Sequence, residues 1–312
     1  MRAWPCLALA FTVVTLLAVP AGSAGLGVSP KGKIAFVRFS EQVGQPEVYV
    51  ADAAGHSLRR LPLRVPAADG PAWSPDGRRL AFIGGSNAPG EARVTVADDL
   101  YLARPSGARS TRLTHDAAHE AGPVWAPDGT RIALVRSPQS APNRSSIFIV
   151  SVSSGRLRRL TYGNVDLQPS WSADGRLIAF LRIDSRTRQA GVWVVRPDGS
   201  HLRRILASLR NVTDPVWSPV ATRLLLSDGR RLLTVAPDGS GQRTVARLSA
   251  DPKGARTDPE VGWSPDGKMV VFAQLRSGTE GRSDIWLVRS DGSGLRRLTV
   301  SPGLDFSPDW SD

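Results

Sequence analysis

Apolar and polar positions alternate in short bursts along this chain, and no segment of useful length keeps the 3.6-residue period of an amphipathic helix. Apolar runs such as Ile178-Ala179-Phe180-Leu181 and Ile147-Phe148-Ile149-Val150 are bounded by Gly, Pro, Asp and Ser. Runs of this length predict β-strands: the first kind buried on both faces, the second β-branched and aromatic. The intervening Ser-Pro-Asp-Gly and Asp-Gly-Ser stretches predict tight turns, because Pro presets φ and Gly accepts a positive φ. The pattern is that of an all-β chain.

The bursts repeat. Trp73, Trp125, Trp171, Trp217, Trp263 and Trp310 are spaced by 52, 46, 46, 46 and 47 residues. Each of the first five opens a unit of the form Pro-x-Trp-Ser-Pro-Asp-Gly followed by an apolar run, beginning at Pro71, Pro123, Pro169, Pro215 and Val261. A second signature follows from Leu100, Ile147, Val192 and Ile285: an apolar strand, a Gly turn, then a polar strand ending in Leu-Thr or similar. Four short strands per unit predict the blade of a β-propeller.

The ends complete the count. Lys33-Ile34-Ala35-Phe36-Val37 reads as a second strand and Val48-Tyr49-Val50 as a third, with no Trp before them. Pro308-Asp309-Trp310-Ser311 reads as a first strand at the other end. The expected architecture is a six-bladed propeller of four-stranded blades. The C-terminal strand joins the blade begun by residues 31–61 and closes the ring. The alternative puts Val28 in the Trp place before Ser29-Pro30-Lys31-Gly32, which makes the first blade self-contained and leaves Trp310 surplus.

These residues resemble the TolB-type propeller repeat, with its Pro-x-Trp-Ser-Pro-Asp-Gly, Ile-Ala-Phe, Ile-Tyr-Val, Asp-Gly and Leu-Thr segments, over roughly residues 31–312. The resemblance implies the fold, and carries little chemistry by itself. In that family a small α/β domain that takes part in the Tol–Pal envelope system precedes the propeller. Only six residues separate Ala24 from Lys31, so that domain is not expected. The same repeat accompanies prolyl-oligopeptidase-type hydrolases, but no Gly-x-Ser-x-Gly elbow occurs in this sequence.

The N-terminus adds an address. Arg2 precedes the apolar run Leu7 to Val19, Pro20 breaks it, and Ala21-Gly22-Ser23-Ala24 offers small residues for cleavage. Residues 1–24 are therefore expected to be a signal peptide, with 25–312 forming the propeller, periplasmic or secreted. An uncleaved anchor is the other reading, though the run is short for a bilayer. The one cysteine, Cys6, falls in the leader, which leaves no disulfide framework and no cysteine for a zinc cluster.

Charge changes the picture less than its size suggests. The 312 residues hold 40 Lys+Arg against 28 Asp+Glu, a formal +12, and 36 of the bases are Arg. Arg59-Arg60, Arg158-Arg159, Arg203-Arg204 and Arg296-Arg297 recur at one place, the outermost strand of four blades. Charge there discourages edge-to-edge pairing. The sharper reading is a basic rim that touches an anionic envelope surface. Nucleic acid is not expected, since no aromatic-interleaved basic stripe appears.

The candidate binding face carries the loops between second and third strands and the links between blades. These vary: Ser40–Glu47, Gly84–Asp99, Ser137–Ser146, Asp184–Gly191 and Ser277–Asp284. The links also carry acids, Asp69, Glu120, Asp166, Asp214, Asp258 and Asp305, of which Glu120, Asp166 and Asp305 stand three residues before the repeat proline. A ring of carboxylates at the channel mouth could hold a cation or an amine, or each acid could cap local amides or pair with a nearby Arg. His119, in His115-Asp-Ala-Ala-His119-Glu120, joins this candidate set; on a link its four-residue spacing from His115 has no helix face to act on.

No catalytic residue, metal or cofactor is assigned. The function expected is a non-enzymatic, monomeric module that binds a protein or peptide. The alternatives are a polysaccharide lyase or hydrolase at the channel mouth, and an envelope-surface-binding protein using the basic rim.

Overall fold

The computed structural model describes residues 31–40, 42–85, 98–141, 143–162, 165–209, 212–248, 260–276 and 282–312. The expected leader, Val28, Asp258 and much of two variable loops lie outside these residues.

Four blades form separate four-stranded antiparallel sheets, each identified here by the Trp of its innermost strand. The Trp73 blade runs Asp69–Trp73, Leu80–Gly85, Asp98–Ala103, Thr111–Arg112, and the Trp125 blade His119–Trp125, Arg131–Ser137, Ser146–Ser151, Leu157–Arg159. The Trp171 blade runs Val165–Trp171, Ile178–Ile183, Ala190–Val195, Arg203–Ile205, and the Trp217 blade Thr213–Trp217, Leu224–Ser227, Arg231–Val235, Arg243–Arg247. The remaining strands form one eight-stranded sheet rather than two separate ones. Val261–Trp263, Met269–Leu275, Ser283–Arg289 and Arg296–Arg297 make one part of it. Leu304–Ser311, Lys33–Phe39, Pro46–Asp52 and Arg59–Arg60 make the other. A single parallel bridge, Ser283 to Leu304, joins the parts, while Leu304–Ser311 runs antiparallel along Lys33–Phe39.

The core lies between neighbouring sets of strands, in six apolar clusters that each take one repeat Trp. Phe36, Phe82, Phe180 and Phe272, on four of the six second strands, are fully covered. An indole that loses about 150–250 Å² of water contact is stabilised by about 4–6 kcal/mol before entropy is counted. Several indoles also tie strands by hydrogen bonds. The Trp125 Nε1–H donates to the Ala72 carbonyl at 3.0 Å and the Trp310 Nε1–H to the Lys31 carbonyl at 3.0 Å.

The turn residues are structural. The Ser74, Ser172 and Ser264 hydroxyls donate to Asp76, Asp174 and Asp266 at 2.6 Å, and accept the amides of Arg79, Leu177 and Met269 at 2.9 Å. Gly77 closes the first of these turns at φ 63°, where a Cβ would be strained. The terminal Leu-Thr has an equally local cause. Thr114, Thr161 and Thr299 accept the amides of Leu100, Ile147 and Ile285 through their hydroxyls at 2.9, 2.9 and 3.0 Å. Each bond fastens an outer edge to its third strand.

Candidate functional site

Three of the expected acids sit in one repeated geometry. Glu120, Asp166 and Asp305 lie on innermost strands, directly across the ladder from Arg136, Arg182 and Arg38 on second strands. Arg182 Nε and Nη2 donate to the two Asp166 oxygens at 2.6 and 2.8 Å, and Arg38 does the same to Asp305 at 2.7 and 2.8 Å. Arg136 Nε donates to Glu120 at 2.9 Å, and its Nη2 meets Asp116. The second Glu120 oxygen accepts the Thr114 hydroxyl at 2.7 Å and the Leu100 amide at 3.0 Å. Burial pushes the Glu120 carboxyl up, against the opposing pull of Thr114 and Arg136. All three acids are buried, so their charges are answered inside the blade.

Each of these arginines also lies over an aromatic ring of the third strand: Arg38 over Tyr49, Arg136 over Phe148 and Arg182 over Trp193, at 4.8, 5.3 and 5.0 Å. The sequence reading missed these arginines as partners. A signal was present in the five units that keep the repeat proline: the acid and the second-strand Arg occur in the same three, whereas Ala68 and Val212 stand in the acid's place where Gly84 and Asp228 stand in the Arg's. The unit with Val261 in the proline's place has Asp258 and Gln274 at these positions.

Asp214 belongs to a different set of equivalent positions. Gly70, Gly122, Gln168, Asp214, Glu260 and Ser307, each one residue before the proline position, adopt φ of 54, 55, 53, 51, 39 and 49°. Left-handed backbone at four non-glycine residues costs roughly 1–2 kcal/mol each, so the surrounding ladder holds these bulges in place. Their side chains join neighbouring innermost strands. Gln168 Nε2 donates to Asp214 at 2.7 Å, the Asp214 amide donates back to Gln168 at 3.0 Å, and the Ser307 hydroxyl donates to Glu260 at 3.0 Å.

His119 pairs with Asp98, Nδ1 to Oδ2 at 3.3 Å. Burial pushes Asp98 up, opposed by His119, and burial raises Asp69 too, with added repulsion from Asp98. Each expected acid has its own local partner: three pair with second-strand arginines, Asp214 bridges to Gln168, Asp69 stands near the His119 pair, and Asp258 lies outside the described residues. Among the described residues, no group of three or more His, Cys, Asp or Glu is arranged to hold a metal ion.

The arginine doublets divide their work. Arg59 donates to the Pro105 carbonyl at 3.1 Å, Arg158 to that of Pro197, and Arg296 to that of Ala53, each reaching a different set of strands. The second arginine instead pairs within its own set of strands. Arg60 meets Glu47 and Arg297 meets Asp284 at 2.6 Å; Arg112, in the same register, meets Asp99 at 2.6 Å. Asp284 is also gripped by Arg276 at 2.6 and 2.8 Å; burial opposes its ionisation, but the two arginines hold its carboxyl below the usual range.

Comparison with known proteins agrees with this fold. The family profile of the TolB beta propeller domain matches residues 24–221. The chain is 29% identical over 284 residues to a protein TolB homolog of Chlorobium luteolum, covering 75% of this chain and 61% of that one. It is 33% identical over 137 residues to the Tol-Pal system protein TolB of Anaeromyxobacter dehalogenans, covering 41% of this chain and 29% of that one. Among solved structures, TolB from Acinetobacter baumannii superposes with a TM-score of 0.72 at 19% identity, covering 90% of this chain and 66% of that one. The chain thus spans less than two thirds of the length of either curated relative.

Proposed function

Because the chain belongs to the TolB β-propeller family, we propose that it is an exported, non-enzymatic scaffold that binds a protein or peptide partner through its variable-loop face. The observation that carries this reading is the internal neutralisation of Glu120, Asp166 and Asp305, which ties up the carboxylates best placed for chemistry and stiffens the blades that present the loops. Rigid strands under loops of differing length and content are a recognition scaffold. In this reading the eight-stranded sheet is two blades, the ring has six, and the C-terminal strand closes it. The pairing of Leu304–Ser311 with Lys33–Phe39 and the six Trp-containing clusters support that count.

Residues 1–24 act as the export signal, and the mature monomer works in the periplasm or outside the cell. The relation to a Tol-Pal system protein favours a protein partner in the envelope. The basic-rim alternative is weakened because three doublets direct their first arginine to a backbone carbonyl. The lyase or hydrolase alternative has one observation in its favour, the Asp98–His119 pair, and a glycan activity panel on His119→Ala would detect it.

The test is capture of partners from envelope extract by the full chain, repeated with loops Gly84–Asp99 and Asp184–Gly191 shortened and folding checked by circular dichroism. Loss of recovery supports the face. Unchanged recovery refutes it.

A further inference from the structure

The repeat supplies its own template for a ligand. In five sets of strands an aromatic residue of the third strand, Tyr49, Tyr101, Phe148, Trp193 or Trp286, is paired across the ladder with an arginine of the outer strand. Two residues before that aromatic stand Glu47, Asp99, Ser146, Gly191 and Asp284. The three acids at this position hold the arginine opposite, as Arg60–Glu47, Arg112–Asp99 and Arg297–Asp284.

The Trp125 blade departs from the rule. Its residue is Ser146, whose hydroxyl accepts from Arg159 Nη2 at 2.9 Å, while Arg159 Nε donates to the Thr161 carbonyl at 2.8 Å. Among the described residues, neither Arg159 nor Arg144 has a carboxylate within ion-pair distance. In the Trp171 blade, where the position is Gly191, the Arg204 guanidinium fills the space and would lie 2.9 Å from an added Cβ. In the Trp125 blade the space stays open. A cavity of about 320 Å³ is lined by Arg144, Arg159, Arg136, Ser146 and Phe148, with Pro138 on its wall. Arg136, which lies over the Phe148 ring, is already answered by Glu120 and Asp116, while Arg159 lies over Tyr162, which leaves Arg144 and Arg159 as the cavity's charges without a carboxylate partner.

We propose that this cavity binds a carboxylate of the partner peptide, seated between Arg144 and Arg159 where other blades supply Asp99 or Asp284, with the neighbouring apolar side chain of the peptide against Phe148. The chemistry is a planar anion received by guanidinium forks and a hydroxyl, next to an aromatic surface. The cavity opens among residues of the Ser137–Ser146 loop, so the proposal rests on the reading that the variable-loop face binds peptide and names the chemistry of one contact on it.

The probe is a fluorescent hexapeptide with capped termini and one glutamate between leucines, compared by anisotropy with its glutamine isostere on the full chain. The glutamate peptide should bind about tenfold more tightly, the size of one charge-assisted contact. Ser146→Asp, which restores the acid of the other blades, should abolish that preference without lowering the melting temperature. Arg144→Gln, on an exposed side chain, should reduce it even if the Ser146 variant fails to fold. Equal binding of the two peptides, or a preference that survives both substitutions, overturns the proposal. Displacement of the peptide by inorganic phosphate at equal concentration overturns the carboxylate assignment. If loop shortening abolishes partner capture while Ser146→Asp and Arg144→Gln leave it intact, the face stands and this contact falls.

Discussion

Asp309→Asn isolates one buried charge. Asp309 follows the proline of the last innermost strand, and its Oδ2 accepts the backbone amide of Trp73 at 2.6 Å, linking two sets of strands. The carboxyl keeps some accessible surface but sits deep among protein atoms, and desolvation pushes its pKa up to about 6 against the pull of the Trp73 and Trp310 amides. A folded pKa above the unfolded value of 3.8 means that the native state binds the proton more tightly. The associated stability is complete below the unfolded value and is lost as pH rises to about 6. Two pH units at about 1.4 kcal/mol each give a loss of at most about 3 kcal/mol at neutral pH, less whatever residual hydration recovers. Asparagine keeps an oxygen for the Trp73 amide and carries no charge at any pH. The variant should therefore exceed the parent by up to about 3 kcal/mol at pH 7.5, and the two should converge near pH 4. Urea unfolding of both chains at half-unit steps from pH 4 to 8 measures this, and taking the difference cancels the other carboxylates. A difference that does not change with pH, or a variant less stable at pH 7.5, would refute the reasoning.

Other substitutions test the rows and the turns. Arg182→Ala strands the buried Asp166 and should cost about 3–5 kcal/mol, whereas the double change Arg182→Met with Asp166→Leu should recover most of it, as read by urea midpoints. Thr161→Val removes the hydroxyl that accepts the Ile147 amide and should cost about 1–3 kcal/mol, with faster hydrogen exchange at Ile147. Gly155→Ala would set a methyl 2.6 Å from the Leu113 carbonyl at φ 66° and should lower stability by at least about 2 kcal/mol, measured by thermal melting.

Much of the fold was legible because its causes are local. The apolar runs, the Ser-x-Asp-Gly turns and the Trp spacing each follow from φ/ψ preferences and burial within one unit, and the repetition multiplied a weak signal. The candidate site was legible in part. Glu120, Asp166 and Asp305 stood out by position, but their partners lie on the next strand or, for Asp305, at residue 38. Only strand register brings those groups together, and a one-residue slip would turn each acid to the other face. Arg158 reads as an exposed edge charge in sequence, yet it bonds the Pro197 carbonyl, a partner 39 residues on.

The sequence by itself thus determined the strands, their turns and the unit in which they recur, because those depend on neighbours a few residues away. The tertiary structure decided which charges are answered and which are left open, because electrostatic pairing depends on distances across the ladder and between blades. Glu47, Asp99 and Asp284 face arginines that Ser146 meets with only a hydroxyl, and that difference acquires meaning once the strands are aligned.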